Sequence, residues 1–181
     1  MDSNQNLESN HWNLPPKFKF YEALGVLADN RLTIDKKQDG SLFAEANSEI
    51  IEAKSYSSSR NKFYIIKYHP NRSEIMTNDN LTWFKDLLGY PALSLLCYLE
   101  VLDFHRLIIP AFANIAWKDI NQKYNNNYAK VESEIDIAIE KAGFNLVYIK
   151  IQIDDLYSQL KNLQLKKLGN KAKPPLGYLI I

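Results

Sequence analysis

The stretch from Lys54 to Val101 constrains the fold more than any other. It reads as a strand, a turn, a second strand, a short third strand and then a buried helix. Asn61-Lys62-Phe63-Tyr64-Ile65-Ile66-Lys67-Tyr68 is the most strand-prone run in the chain, dense in aromatic and β-branched residues. Ser57-Ser58-Ser59-Arg60-Asn61 signals a turn before it, and His69-Pro70-Asn71 stops it. Glu74-Ile75-Met76-Thr77 supplies the third strand. After the breaker Gly89-Tyr90-Pro91, residues Ala92 to Phe104 are apolar almost all round. A helix of that composition has to be buried, so it is expected to be the spine of the core.

Elsewhere the pattern alternates between short strands and helices. Pro15-Pro16 leads into a helix at about residues 17–28, with Phe20, Leu24 and Leu27 on one stripe. Arg31–Ile34, Leu42–Ala44 and Glu49–Ala53 read as short strands, and Asp39-Gly40 as a hairpin-type turn. Pro110 is expected to start a helix that places Ala113, Trp117 and Ile120 on one face. Tyr128 to Ala142 forms another, carrying Val131, Ile135, Ala138, Ile139 and Ala142 inward, and Gly143 closes it. Residues 146–153 alternate like a strand, yet Ile149, Ile153, Leu156, Leu160 and Leu163 step by four and three. A single helix from Leu146 to Lys167 is favoured. The expected fold class is α+β, a small antiparallel sheet packed on a buried central helix with a helical C-terminal half. The expected organisation is a polar arm at 1–16, an α+β core with a ββα unit at 17–107, a helical half at 108–169, and a basic then apolar tail at 170–181.

Composition narrows the function. Of the 181 residues 46% are hydrophobic and 12% aromatic, which excludes global disorder. A formal charge of +1 gives no strong long-range field toward nucleic acid or anionic membrane. Charge is nevertheless segregated: Lys161, Lys166, Lys167, Lys171 and Lys173 lie in a closing stretch without a single acid. The lone Cys97 excludes an internal disulfide, and in its apolar helix the thiol reads as buried and inert. No apolar run reaches a membrane-spanning length, and no charged-then-apolar leader opens the chain, so a cytoplasmic location is expected.

The order strand, Ser-rich turn, aromatic strand, third strand and helix over residues 54–100 resembles the SWIM-type zinc finger. In that family a Cys-x-Cys pair and a Cys-x-His pair hold the metal. Here the matching places carry Met76-Thr77-Asn78 and Gly89-Tyr90-Pro91, so all four ligands are missing. The resemblance implies a zinc-free version held by apolar packing, with a DNA-binding or protein-binding role. Other metal and catalytic signals are sparse. His11, His69, His105 and Cys97 are dispersed, without the paired spacing that zinc needs. There is no phosphate loop, dinucleotide fingerprint or nucleophile elbow, and glycine occurs only 6 times. No metal and no cofactor is expected, and no catalytic residue is assigned.

The best candidate binding surface joins aromatics to lysines: Lys62, Tyr64 and Tyr68 on the aromatic strand, suited to stacking on unpaired bases. Against that, Phe63 and Ile65 are expected to form the core face while the tyrosines cover a helix. Lys166, Lys167, Lys171 and Lys173 complete the candidates as phosphate contacts. The apolar end, Leu176 to Ile181, is expected to dock on its own domain or on a partner. Together these features point to a non-enzymatic binding or accessory protein acting through a protein partner or nucleic acid. Two alternatives stay open: self-assembly through the Ile149–Leu163 seam, and an enzyme using the Asp103/His105 neighbourhood.

Overall fold

The computed structural model describes residues 10–35 and 50–176. The expected turn at Asp39-Gly40, the strand candidate Leu42–Ala44 and the apolar end at 177–181 lie outside the described residues. The α+β fold is present as expected, with a helical C-terminal half. The strands β1 (Leu32–Ile34), β2 (Ile51–Tyr56), β3 (Phe63–His69), β4 (Glu74–Thr77) and β5 (Lys166–Lys167) form one sheet in that order. The first four pair antiparallel; β5 joins β4 in parallel, so the sheet is mixed. The helices are α1 (Lys19–Ala28), α2 (Asn80–Lys85), α3 (Tyr90–Tyr98), α4 (Trp117–Lys123), α5 (Tyr128–Lys141) and α6 (Leu146–Leu163).

Side chains alternate across the strands, but the packed face is the opposite of the one expected. Tyr64, Ile66 and Tyr68 are buried, while Ile65 is 36% exposed and Phe63 half-buried. Both faces of β3 are apolar, so its own pattern cannot choose between them. The partner strand decides. Ala53 and Ile51 stand opposite Ile66 and Tyr68, whereas the charged Glu52 and Lys54 stand opposite Lys67 and Ile65. Charged residues take the open face, where Lys67 pairs with Glu52 at 2.6 Å.

The packed face lies on α3, which is buried from Pro91 through Cys97 and rests against α1. Helix α1 is buried more completely than its stripe predicted, at eight of its ten residues. Where Gly25 faces Trp117, a Cβ would come within 2.6 Å of the indole nitrogen, so glycine permits this approach. Tyr21 donates to Asp136 at 2.9 Å, and Lys150 pairs with Asp136 and Glu132, which ties α1 to α5 and α6.

Helix α3 stops at Tyr98 rather than Phe104. Glu100 takes the left-handed conformation at φ 58°, and the amides of Glu100 and Val101 donate back to Cys97 and Leu96, a Schellman ending with no glycine to announce it. Pro110 starts no α-helix; it sits inside a 3-10 segment at Arg106–Phe112, and α4 begins only at Trp117. In α5 the inward residues are Val131, Ile135 and Ile139, with Ala138 and Ala142 exposed. Residues 146–153 are helical, but α6 ends at Leu163 because Gln164 turns left-handed at φ 44° and releases the chain to β5. The seam Ile149, Ile153, Leu156 and Leu160 is buried in the chain's own core, which removes it as a self-assembly face.

The described chain ends meet at the sheet edge. Trp12 donates from its backbone to Leu165 at 2.9 Å and from its indole to Ile75 at 2.8 Å. Lys167 and Lys171 both pair with Asp86, at 2.7 and 2.6 Å. Partial burial opposes the Asp86 charge, but hydrogen bonds from Lys167 and Lys171 outweigh it and hold the carboxyl below its usual range. A carboxyl depressed in the folded state contributes stability above its unfolded pKa and loses it as pH falls through the folded one. Asp86→Asn is therefore expected to lower unfolding free energy by about 1 kcal/mol at neutral pH. In urea titrations the gap to the parent should close as the pH drops below the ordinary carboxylate range; a gap constant from neutral to acid pH would refute the latch.

Candidate functional site

A cleft of about 680 Å³ opens between the β2–β3 turn, α2 and α4. Its floor comes from α1. Lys19 and Glu22 stand one turn apart, Nζ to Oε2 2.6 Å, with side chains only 10% and 7% exposed. The second carboxylate oxygen of Glu22 accepts from Asn121 Nδ2 at 3.0 Å, and the Lys19 ammonium lies 4.5 Å from the centre of the Tyr128 ring. Burial disfavours the Lys19 charge, but the Glu22 carboxylate beside it more than compensates, so its pKa ends above the ordinary value. A buried pair of this kind costs desolvation that apolar residues of the same size would avoid. Its presence at the base of a cleft is the site's principal feature.

Asp79 shapes the wall. It caps α2 by accepting from the amides of Leu81 and Thr82 and from the Thr82 hydroxyl at 2.7 Å. Burial pushes its carboxyl up, against those hydrogen bonds. The carboxylate lies so close to the start of α3 that a Cβ on Gly89 would come within 2.2 Å of it. Tyr64 and Tyr90 meet edge to face with ring centres 6.0 Å apart. The Tyr90 phenol is pushed well up, first by burial and then by the neighbouring Tyr64 and Glu22. Around neutral pH Lys19 thus stays charged and Tyr90 stays protonated.

At the mouth stand Lys62, Lys85 and Lys118, none with an ion-pair partner among the described residues. Of the residues singled out by sequence, Lys62 and Tyr64 lie in this cleft, with the Lys62 ammonium 5.3 Å from the Tyr64 ring centre. Tyr68 does not: it is 4% exposed in the apolar core. Lys166 and Lys173 are exposed and Lys167 and Lys171 are engaged on Asp86, all away from the cleft. His105 also lies elsewhere, its Nδ1 2.9 Å from the Tyr148 hydroxyl, while glutamines of α6 accept from the backbone amides of Asp103 and His105. Cys97 is fully buried, and burial pushes its thiol up to about 12. Among the described residues no group of three or more His, Cys, Asp and Glu could hold a metal ion. Asn78 and Gly89, at zinc-ligand places of the resemblance, instead accept from the Ile65 amide at 2.7 Å and admit the Asp79 carboxylate.

Sequence reading missed Lys19, Glu22, Asp79 and Asn121. A signal existed for the first two: opposite charges at i and i+3 share one face of a helix and can pair.

The Asp79–Gly89 contact predicts strong non-additivity. Asp79→Ala is expected to cost about 2 kcal/mol through the lost cap, and Gly89→Ala on the order of 2 kcal/mol through overpacking. The double variant should cost clearly less than the sum in chemical denaturation, since removing the carboxylate removes the clash. Strict additivity would refute the contact.

The family model described as uncharacterised conserved protein UCP014422 matches residues 12–166, a span that runs from Trp12 through every helix and into β5. No curated protein and no solved structure matches the chain.

Proposed function

We propose, for a chain that belongs to the family of uncharacterised conserved protein UCP014422, that it is a binding protein whose working surface is the Lys19–Glu22 cleft and whose ligand is a small organic anion. The observation that carries this reading is the arrangement of charge. Three lysines without ion-pair partners among the described residues line a cleft whose floor is a buried ammonium–carboxylate pair. The volume of about 680 Å³ falls inside the range of about 300–1,000 Å³ typical of small-molecule sites. Five cations against the two carboxylates Glu22 and Asp79 leave the lining net positive, even though the whole chain carries only +1.

The pair on the floor supports a binding role independently of the mouth. Were it there for stability, removing both charges together would weaken the fold. A buried pair replaced by apolar groups of similar volume is instead commonly neutral or stabilising. Lys19→Met with Glu22→Leu is therefore expected to stay within about 1 kcal/mol of the parent, whereas Lys19→Met alone should cost about 3–5 kcal/mol by leaving a buried carboxylate unpaired. The double variant should fold and fail to bind.

Calorimetric titration with inorganic phosphate, citrate and ribose 5-phosphate tests the reading. At least one should bind, and Lys62→Glu with Lys118→Glu should weaken it tenfold or more. Lys166→Glu with Lys173→Glu, on the exposed tail, should leave it unchanged. If none of the three binds, or if the tail variant weakens binding as much as the cleft variant, this assignment is wrong.

A further inference from the structure

The aromatic residues of the cleft are not equivalent. Tyr64 carries the Lys62 ammonium near its face, and Tyr128 carries that of Lys19. Trp117 is 4% exposed and packs edge-on against Phe18. Phe84, on α2, is different: it lines the same cleft, is 70% exposed, and has neither a ring nor a cation against it among the described residues. Lys85 follows it at once on the same helix and is itself unpaired among those residues. A lone exposed phenylalanine is ordinary on any surface. One lining a lysine-bearing cleft presents a free ring face beside cations.

The polar lining suits the edge of a base. The side-chain amides of Asn80, Gln122 and Asn126 face the cleft and make no hydrogen bond among the described residues. Asn121, bonded to Glu22 through its Nδ2, keeps a buried and unpaired Oδ1. An amide offers a donor and an acceptor side by side, the pattern that base edges match.

We propose that the ligand is a mononucleotide, its base stacked on Phe84 and its phosphate held by the lysines at the mouth. This rests on the anion-binding reading above and deepens it. The occupant is one nucleotide and not a strand. Continuous single-strand binding needs a basic groove that tracks a backbone with several stacking residues in succession. Here the cations line one cleft, and two lysines of the basic tail, Lys167 and Lys171, are engaged on Asp86.

The experiment is calorimetric titration of the full chain and its Phe84→Ala and Phe84→Trp variants. The probes are the four nucleoside monophosphates, adenosine, ribose 5-phosphate and an octathymidylate. The expected result is that at least one nucleoside monophosphate binds tenfold or more tightly than either adenosine or ribose 5-phosphate. Phe84→Ala should weaken it about tenfold, as loss of one stacked base does, without changing ribose 5-phosphate, and Phe84→Trp should restore it. Because Phe84 is exposed, neither variant endangers folding. Equal affinity for ribose 5-phosphate and the nucleotides, with Phe84→Ala silent, would overturn the nucleotide while leaving the anion site standing. Tighter binding of the octathymidylate by an order of magnitude would overturn it in favour of a nucleic-acid strand. No binding of any phosphate compound would overturn the anion site as well.

Discussion

A helix buried on every side cannot carry charge into the interior without supplying its partner, and α1 carries two. The Lys19–Glu22 pair is the constraint around which the rest of the molecule is arranged. With one partner removed, the other charge would lie in a low-dielectric interior with nothing to offset its lost hydration. Together they still leave unfilled positions, which Asn121 from α4 and the Tyr128 face at the start of α5 occupy. The places of α4 and α5 over the sheet are thereby linked to a single ion pair.

Two close approaches hold the frame in which that pair sits. Gly25 lets Trp117 lie directly on α1, and Gly89 lets the Asp79 carboxylate lie against the start of α3. Neither glycine has an unusual backbone angle; what each provides is the missing Cβ. At the far edge the chain closes on itself without a disulfide. Trp12 spans β4 and the end of α6 by two hydrogen bonds, and Asp86 gathers Lys167 and Lys171. The family match extends across this whole frame, from Trp12 to the strand that closes the sheet.

What the sequence revealed follows from how local each feature is. The aromatic strand, its turn and the third strand are written in adjacent residues, and all appear where their composition places them. The face of β3 was not legible from β3, because Phe63 and Ile65 are as apolar as Tyr64 and Ile66; it was fixed by Glu52 and Lys54 on the neighbouring strand. Helix ends were missed where left-handed turns fell on Glu100 and Gln164, residues without glycine's conformational freedom. Of the candidate site only Lys62 and Tyr64 were anticipated. Its other parts come from α1, α2 and α4, whose meeting is tertiary, although the i,i+3 charges in the all-apolar α1 were a sign of it.

The distribution of lysines decides between a small ligand and a polymer more firmly than their number. Read along the chain, the basic cluster is the tail from Lys161 to Lys173, which suggests phosphate contacts there. In space that cluster is partly spent: Asp86 engages Lys167 and Lys171, and at physiological ionic strength exposed charges act over only about 8 Å. Lys62 on β3's approach, Lys85 at the end of α2 and Lys118 in α4, scattered in sequence, are brought to line one cleft by the fold. Cations gathered at one cleft concentrate their field there, whereas tracking a polyanion takes cations spread along a groove. A chain with a net charge of +1 can therefore carry a locally positive cleft without a strong long-range field.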